Sequence, residues 1–263
     1  MASILFFFFS VLAFGVFSAY ARGEQDTEPP MIRCESELLE ISVRESDLLQ
    51  GVSAYDQRSG DVSDSLVVER LSPFTEDGKR SVTYAATDKK NNVGRVDRTV
   101  TYTDYEEPKF SFVGPLSFRE GGKVDILPRV RASGSLDGDL TDNIKASLTR
   151  EVNINVPGSY PVELRVSDSA GKIVFLEVEI EIYERKYAGI AVTLREYLLY
   201  LERGSLFDPE SYFQESSAQG ELKVESTVDT SVPGIYNVDF FVEGTSDRGV
   251  MELGKSRLVV IVE

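Results

Sequence analysis

A repeated pattern of glycine, acidic and alternating apolar residues is the feature of this sequence that most constrains its fold. Each copy has a Gly-acid-apolar triplet, followed 14 to 20 residues later by a run in which every second residue is apolar. The triplets begin at Gly60, Gly138 and Gly220. The alternating runs begin at Gly78, Gly158 and Gly234, so the pattern recurs every 76 to 82 residues. This period predicts three small modules in tandem, an arrangement that is more often structural or binding than catalytic.

The alternating run of the second copy predicts a β-hairpin. Apolar residues from Tyr160 to Val166 alternate with Pro, Glu, Arg and Ser, which is the period of a half-buried strand. The segment 168–172 contains Asp and Gly, which favour a turn, and Ile173 to Ile182 follows as the return strand.

The first and third copies predict the same hairpin. In the first, the strands are Ser81 to Ala86 and Val96 to Tyr102, joined by the loop Asp88 to Gly94. In the third they are Ile235 to Val242 and Leu258 to Val262, and the loop between them is expected to be the longest.

An opposing sheet is expected from a short apolar strand upstream of each hairpin. The three predicted strands are Leu48 to Ala54, Val124 to Ala132 and Leu206 to Phe213. Short strands separated by turn signals, with no convincing helix, predict antiparallel β-sandwiches.

One segment is compatible with two structures. Leu194, Tyr197, Leu198 and Leu201 have helical spacing, whereas the repeat register makes the segment the first strand of the third module. We favour the strand.

The composition excludes several classes of function. The chain has 28 basic and 44 acidic residues, a formal net charge of −16, no histidine, no tryptophan and one cysteine. The negative charge would repel nucleic acid, so no nucleic-acid partner is expected. Without histidine there is no Ser-His-Asp or Cys-His catalytic system, and a zinc site is improbable. We therefore predict no enzyme activity, no catalytic residues and no cofactor.

The N-terminus predicts export. Residues 1–21 carry no charge and contain a strongly apolar run, and Ala19-Tyr20-Ala21 fits a signal-peptidase site. A retained membrane anchor is the alternative, because 21 uncharged residues approach the roughly 20 that span a bilayer as a helix. Only residues 1–21 would contact the membrane. The absence of an internal disulfide and of Asn-x-Ser/Thr favours an exported bacterial protein in an extracellular or cell-envelope location.

Acidic loops are the best candidates for a metal site. Two sets of three carboxylates lie in the corresponding loops of the first two modules, with only Glu221 in this region of the third: Asp137, Asp139 and Asp142, and Asp56, Asp61 and Asp64. Carboxylate oxygens suit Ca²⁺. Aspartate also forms turns by bonding to nearby backbone N–H groups, which is the interpretation that we favour, so no metal site is predicted.

The motifs resemble the bacterial immunoglobulin-like domains named after a pesticidal crystal protein. The second module carries the family pattern most fully, in Val130-Arg131-Ala132, Asp137-Gly138-Asp139-Leu140-Thr141 and Pro157-Gly158-Ser159-Tyr160. The third keeps Pro233-Gly234-Ile235-Tyr236 but has Gly220-Glu221-Leu222 in place of the family's Asp pair, and the first lacks Pro-Gly. The resemblance covers nearly everything after Pro30 and implies surface-attached spacers, stalks or binding units.

Together these features predict an all-β chain of three tandem immunoglobulin-like antiparallel β-sandwiches after an N-terminal hydrophobic helix. The predicted segments are a signal peptide or anchor at 1–21, a linker at 22–30, and domains at 31–105, 106–184 and 185–263.

The predicted function is non-catalytic adhesion to, or binding of, a protein or glycan at the cell surface. The loops Asp88 to Gly94 and Glu243 to Gly249 are the candidate contact regions. A ligand-free envelope stalk and a carbohydrate-binding accessory protein are the alternatives. The missing tryptophan disfavours the second of these, and the 12 tyrosines keep it open.

Overall fold

A computed structural model describes residues 26–45, 47–75, 77–245 and 249–263. The predicted N-terminal helix at 1–21 lies outside the described residues. Contacts divide the chain into two compact units, residues 1–105 and 106–263, and the three-domain division stays a prediction. Among the described residues, the regular structure is β-strand and short 3₁₀ helix, and no helix is long and apolar enough to cross a bilayer.

Among its described residues, the first unit has seven strands. They are Met31–Cys34 (β1), Leu38–Ile41 (β2), Val52–Asp56 (β3), Gly60–Asp61 (β4), Val67–Leu71 (β5), Arg80–Thr87 (β6) and Val93–Tyr102 (β7). One sheet has the order β1-β3-β4 and the other β2-β7-β6-β5. All pairs are antiparallel except β2 with β7, which is parallel.

The core of this unit lies between its two sheets, which makes it a β-sandwich. Ile32 and Ala54 from the smaller sheet pack in one cluster with Val82, Tyr84 and Val100 from the larger sheet. Every second residue of β6 supplies the core, as the alternation predicts.

Thirteen strands are described in the second unit. They are Lys109–Phe112 (β8), Ser117–Arg119 (β9), Val130–Gly134 (β10), Gly138–Asp139 (β11), Lys145–Leu148 (β12), Gly158–Ser167 (β13), Ile173–Tyr183 (β14), Val192–Leu194 (β15), Leu198–Leu201 (β16), Phe213–Ser216 (β17), Gly220–Ser226 (β18), Gly234–Thr245 (β19) and Met251–Val262 (β20). Their sheets have the orders β11-β10-β8, β12-β13-β14-β9, β15-β17 and β16-β20-β19-β18.

Two hydrophobic clusters fill this second unit. One is built mainly from β8 to β14 and the other from β15 to β20. Leu198 and Val259 belong to the first cluster although they lie on β16 and β20. The outer face of the β16-β20-β19-β18 sheet is therefore packed, at one end, against the cluster built from β8 to β14.

A buried ionic network continues this contact. Arg257 on β20 donates to Asp239 on β19 from Nε at 2.6 Å and from Nη2 at 2.9 Å. Glu181 on β14 accepts from Lys255 and from Arg257 Nη2, the latter at 3.2 Å. Two carboxylates thus balance two cations, which is what keeps such charges tolerable in a buried site.

The Pro-Gly-x-Tyr motif has a structural explanation. The Tyr160 hydroxyl donates to the carbonyl oxygen of Val156 at 2.9 Å, and the Tyr236 hydroxyl donates to that of Val232 at 2.8 Å. Each tyrosine thereby fastens the turn that precedes its own strand. In the first unit Arg80 does this instead, since its Nε donates to the Ser72 carbonyl oxygen at 2.6 Å.

The structure supports the β-hairpins and changes some strand boundaries. β13 pairs with β14 along its whole length, and the segment with ambiguous spacing forms strands β15 and β16. The predicted upstream strands began too early: Leu206 to Phe213 is mostly loop and a 3₁₀ helix at Pro209–Tyr212. Pro209 lacks the backbone N–H that a strand ladder needs, which explains this difference.

The third hairpin also departs from its prediction. β19 and β20 stay paired as far as Thr245 and Met251, so only five residues separate the two strands, as many as separate β6 from β7 in the first hairpin. The expectation of a longest loop here was wrong, because Gly244 and Gly254 continue the ladder rather than ending it.

Candidate functional site

The outer face of β18, β19 and β20 carries an ordered lattice of polar and aromatic side chains. Register partners in antiparallel strands share a face of the sheet. On this face they form three rows: Glu221–Glu243–Leu253, Lys223–Phe241–Lys255 and Glu225–Asp239–Arg257. The middle row places an aromatic ring between two lysines.

A groove of about 410 Å³ opens on this face, and we call it the aromatic groove. Phe241 and Tyr187 contribute its rings, with centroids 5.7 Å apart and planes inclined by 56°. Tyr187 comes from a 3₁₀ helix, Arg185–Tyr187, that follows β14, and Leu253 adds a further apolar wall. The two rings thus meet from segments more than fifty residues apart.

Most charges on the face are internally neutralised. Lys223 Nζ lies 2.6 Å from Glu225 Oε1, and the hydrogen bond to Glu225 raises the pKa of Lys223. Lys255, Arg257 and Asp239 belong to the buried network with Glu181. Burial lowers the pKa of Arg257, but hydrogen bonds to Asp239 and the charge of Glu181 outweigh this and hold it above its usual range.

Glu221 and Glu243 are the exception. They face each other directly across β18 and β19, both exposed, and no salt bridge to either is found within the part of the chain that the structure describes. Like charges directly opposite each other on a sheet are destabilising by up to about 1 kcal/mol. The rim of the aromatic groove therefore carries two adjacent carboxylates with uncompensated charge.

The chemistry of the groove is that of a binding site. Carboxylates accept charge-assisted hydrogen bonds from guanidinium or ammonium groups, and aromatic rings attract cations and the apolar faces of other molecules. An apolar floor with a few convergent polar groups is the usual character of a ligand site.

The structure describes one of the two predicted contact loops in full and the other in part, and their role as contact regions stays a prediction. In Asp88 to Gly94, the Asp88 side chain is 5% exposed, and its Oδ1 accepts from the backbone N–H groups of Lys90 and Asn92, each at 2.8 Å. The Asp88 carboxylate thus holds the loop from within, while Lys89, Lys90, Asn91 and Val93 are exposed to solvent. In Glu243 to Gly249, residues 243–245 belong to β19, and residues 246–248 lie outside the described residues.

Three of the six predicted acidic loop residues, Asp56, Asp61 and Asp139, accept a hydrogen bond from the backbone N–H two residues further on, as turn formers do. Asp61 Oδ1 accepts from the Ser63 N–H, and Asp139 Oδ1 accepts from the Thr141 N–H, both at 2.9 Å. Asp137 Oδ2 accepts from the Ser169 N–H at 2.9 Å. Neither Asp137, Asp139 and Asp142 nor Asp56, Asp61 and Asp64 forms a compact carboxylate cluster in the described structure.

A different set of aspartates does come together. Asp26, Asp56 and Asp88 each place a carboxylate oxygen within 4.8 Å of the other two, and among the described residues these are the ones grouped closely enough to hold a cation. The sequence analysis missed Asp26, which lies in the linker predicted at 22–30. Asp104 lies one repeat length after Asp26 but has a different role. Its carboxylate accepts from the Val43 N–H at 2.8 Å and from Ser42 Oγ at 2.7 Å.

Comparison with protein families and curated proteins gives little further guidance. No family model matches the chain. An uncharacterized 81.3 kDa protein of Acholeplasma phage L2 is 26% identical over 190 residues, which cover 70% of this chain and 25% of the phage protein. The chain thus spans about a quarter of the length of this curated relative.

Two solved structures with β-rich domains show remote similarity to this chain. One is the CBM51-2 and INT domains of Clostridium perfringens ZmpB, solved in complex with GlcNAc, at 16% identity over 89% of this chain and 42% of that one, with a TM-score of 0.24. Another is mouse protocadherin-24 EC1-3, at 13% identity over 90% of this chain and 100% of that one, with a TM-score of 0.22.

Proposed function

We propose that this chain is a non-catalytic, exported binding protein that uses the aromatic groove to hold a partner protein through a basic side chain. The observation that carries the proposal is the uncompensated Glu221–Glu243 pair beside Tyr187 and Phe241. Export through residues 1–21, a cell-surface or extracellular location, and membership of the pesticidal-crystal-protein type of immunoglobulin-like domain belong to the same proposal.

Charge complementarity favours a cationic occupant. A lysine or arginine between Glu221 and Glu243 would remove the repulsion that the two carboxylates exert on each other. Arginine suits the site particularly well, since its planar guanidinium donates to two carboxylates and stacks on an aromatic ring. The formal net charge of −16 would also steer a basic partner toward the chain.

The sheet edge beside the groove offers a second mode of contact. β18 is the terminal strand in the order β16-β20-β19-β18, and it is seven residues long. A terminal strand presents backbone N–H and C=O groups to which an extended segment can add. A partner strand along β18 would place its outward side chains beside Glu221 and Glu225.

Binding of basic extended peptides tests the proposal. Wild-type chain would be titrated with a panel of ten-residue peptides that carry alternating Arg or Lys, with matched Glu peptides as the reference. The double variant Glu221→Gln/Glu243→Gln should weaken binding at least about tenfold, because two charge-assisted contacts are lost. A matched double variant, Glu202→Gln/Glu215→Gln, changes the net charge equally at exposed positions elsewhere and should retain the affinity.

If both double variants lost the same affinity for the basic peptides, net charge alone would explain the binding. That result would contradict the proposal that the aromatic groove is the binding site. A glycan array on the same proteins examines the carbohydrate alternative. The carbohydrate alternative would be supported if the wild-type chain bound a glycan but no peptide, and if Phe241→Ala abolished that glycan binding.

A ligand-free envelope spacer is the second candidate, and one observation favours it. The network of Glu181, Asp239, Lys255 and Arg257 ties β14 to β19 and β20 within residues 106–263, and such rigidity suits a spacer. Absence of binding to every peptide and glycan would favour this candidate.

A further inference from the structure

The aspartate cluster of residues 26–105 is separate from the proposed binding function and concerns different chemistry. Asp56 is at the end of β3, Asp88 follows β6, and Asp26 lies in the segment that precedes β1. Asp56 is 3% exposed and Asp88 5% exposed, yet a carboxylate oxygen of each lies within 4.8 Å of the others and of one from Asp26. Three segments therefore converge on one small volume.

Such a cluster is costly unless its charge is balanced. Carboxylates that share a buried site repel one another, and the loss of hydration penalises each charged form. No salt bridge to any of these three aspartates is found among the described residues. Nearby Lys89 instead directs its Nζ to the carbonyl oxygen of Ser59 at 3.2 Å.

A second observation points to a missing partner. The Oδ2 atom of Asp26 is inaccessible to solvent and has no hydrogen-bond donor. The other oxygen, Oδ1, accepts from the Glu28 N–H at 3.3 Å. A buried carboxylate oxygen without a partner is destabilising, so its presence beside two buried carboxylates needs an explanation.

Hydrogen bonds within the protein hold these aspartates in place. Asn92 Nδ2 donates to the Asp26 carbonyl oxygen at 3.1 Å and to Asp88 Oδ2 at 2.7 Å. Asp56 Oδ1 accepts from the Arg58 N–H at 2.9 Å. These bonds hold the segment before β1 against the loop after β6. The positions of the three carboxylates are therefore set by the packing of the fold.

We propose that Asp26, Asp56 and Asp88 bind one Ca²⁺ ion. Calcium takes six to eight hard oxygen ligands in flexible geometry, which three carboxylates supply together with backbone carbonyl oxygens or water. The ion neutralises the cluster and gives Asp26 Oδ2 a partner. It also joins the segment before β1 to the loops after β3 and β6, so calcium orders the start of the sandwich.

Calcium titration of the purified full chain, freed of metal with a chelator, is the direct test. Calorimetry should show one site per chain with a Kd of roughly 0.1–1 mM, the range of extracellular calcium modules. At 10 mM Ca²⁺ the Tm of the first unit should rise by at least about 5 °C, since the ion binds the folded state alone. Magnesium at the same concentration should have a much smaller effect, because it demands a tighter octahedral site.

Asp26→Asn is the decisive variant, because asparagine keeps an acceptor for the Glu28 N–H and removes only the charge. It should fold without calcium and lose the calcium-dependent rise in Tm. Asp56→Asn, which keeps an acceptor for the Arg58 N–H, should behave in the same way.

The second sandwich offers a matched control in Asp168. This residue is 7% exposed, and its Oδ1 accepts from the Lys172 N–H at 2.8 Å, as Asp88 Oδ1 does from Asn92. The position that corresponds to Asp56 is Gly134 there, since each pairs with the glycine of a Gly-Asp strand. Asp168→Asn should therefore leave the calcium response unchanged. A wild-type chain without a calcium response, or an Asp26→Asn variant that responds like wild type, would overturn the proposal.

Discussion

The Arg257 guanidinium donates a hydrogen bond from Nη2 to Oε1 of Glu181, at 3.2 Å, and thereby joins strands β20 and β14. Glu181 is 8% exposed and Arg257 8% exposed, so this ion pair is shielded from solvent. The Ser117 hydroxyl adds a further hydrogen bond to Glu181 Oε2, at 3.2 Å. Residues that belong to successive copies of the repeat are thus held together by charge as well as by the apolar contact of Leu198 and Val259.

Glu181→Ala should destabilise residues 106–263 by about 3–5 kcal/mol, because it leaves Lys255 and Arg257 with only Asp239 to balance them. Chemical denaturation of the full chain, followed by tyrosine fluorescence, measures this loss. Lys123→Ala provides the comparison, since the Lys123–Asp125 pair is largely exposed. Its removal should cost no more than about 1 kcal/mol. A Glu181→Ala chain as stable as the Lys123→Ala chain would contradict the importance of the network.

Tyr160→Phe and Tyr236→Phe should each reduce the free energy of unfolding by about 0.5–1.5 kcal/mol, the usual net value of one hydrogen bond. Each change deletes a single hydroxyl that fastens the turn before β13 or β19, and it leaves the ring in place. Tyr55→Phe serves as the control, because Tyr55 is 61% exposed and its hydroxyl is not part of such a turn. Urea denaturation compares the three variants, and equal stability of all of them with wild type would show that the turns hold without the tyrosines.

The hairpins were predictable from the sequence because strand periodicity and turn chemistry are local properties. Alternation from Tyr160 to Val166 set both the strand and the face that is buried, and the structure confirms both. The aromatic groove was not predictable in this way. Phe240 and Phe241 are adjacent and equally apolar, and only the register of β19 places Phe240 in the core and Phe241 in the groove. The ring beside it, Tyr187, comes from a connecting segment without any periodic pattern.

The aspartate cluster was missed for a related reason. Asp56 was noted with Asp61 and Asp64 because the three are close in sequence, whereas the structure groups it with residues about thirty positions away on either side. Sequence spacing identifies carboxylates that are close along the chain, and these mostly form turns. A cation site built from three separate segments depends on tertiary packing, which spacing does not reveal. The close approach of Pro30 to Gly94 is part of that packing.

Gly94→Ala should destabilise the first unit by roughly 1–3 kcal/mol, the usual cost of overpacking a filled site. Gly94 is buried on β7, and a Cβ atom there would lie 2.0 Å from the carbonyl oxygen of Pro30. The segment before β1 would have to move away from the hairpin, and Asp26 would move with it. Thermal unfolding with and without Ca²⁺ measures both effects: a lower Tm, and a weaker calcium response than that of wild type.

Gly114→Ala is the matched control for this substitution. The nearest atoms to a Cβ at Gly114 belong to the Arg129 side chain at 3.9 Å, an ordinary van der Waals distance. Its Tm should stay close to that of wild type. If Gly94→Ala were as well tolerated as Gly114→Ala, the close packing of the linker segment on β7 would not exist in solution.

Acid should destabilise the chain through its turn-forming aspartates. Hydrogen bonds from Thr141 lower the pKa of Asp139, hydrogen bonds from Val43 and Ser42 lower that of Asp104, and hydrogen bonds from Lys79 and Thr75 lower that of Asp77 from 3.8 to about 2. Because the folded-state pKa lies below the unfolded-state value in each case, the unfolded chain binds more protons between the two values. The stabilisation is therefore fully present above the unfolded-state pKa and is lost as the pH falls from about 4 toward 2.

Asp139→Ala isolates one such contribution. The variant should be less stable than wild type at pH 7, where the carboxylate accepts from Thr141, and the difference should shrink as the pH falls below 4, because protonation then removes the same advantage from the wild type. Urea denaturation at pH 7, 4 and 2.5 follows the difference. If it stayed constant over this range, the charge of Asp139 would play no part and its side chain would act only through its shape. If it widened in acid, the sign of the pKa shift would be the reverse of that expected from the Thr141 hydrogen bonds.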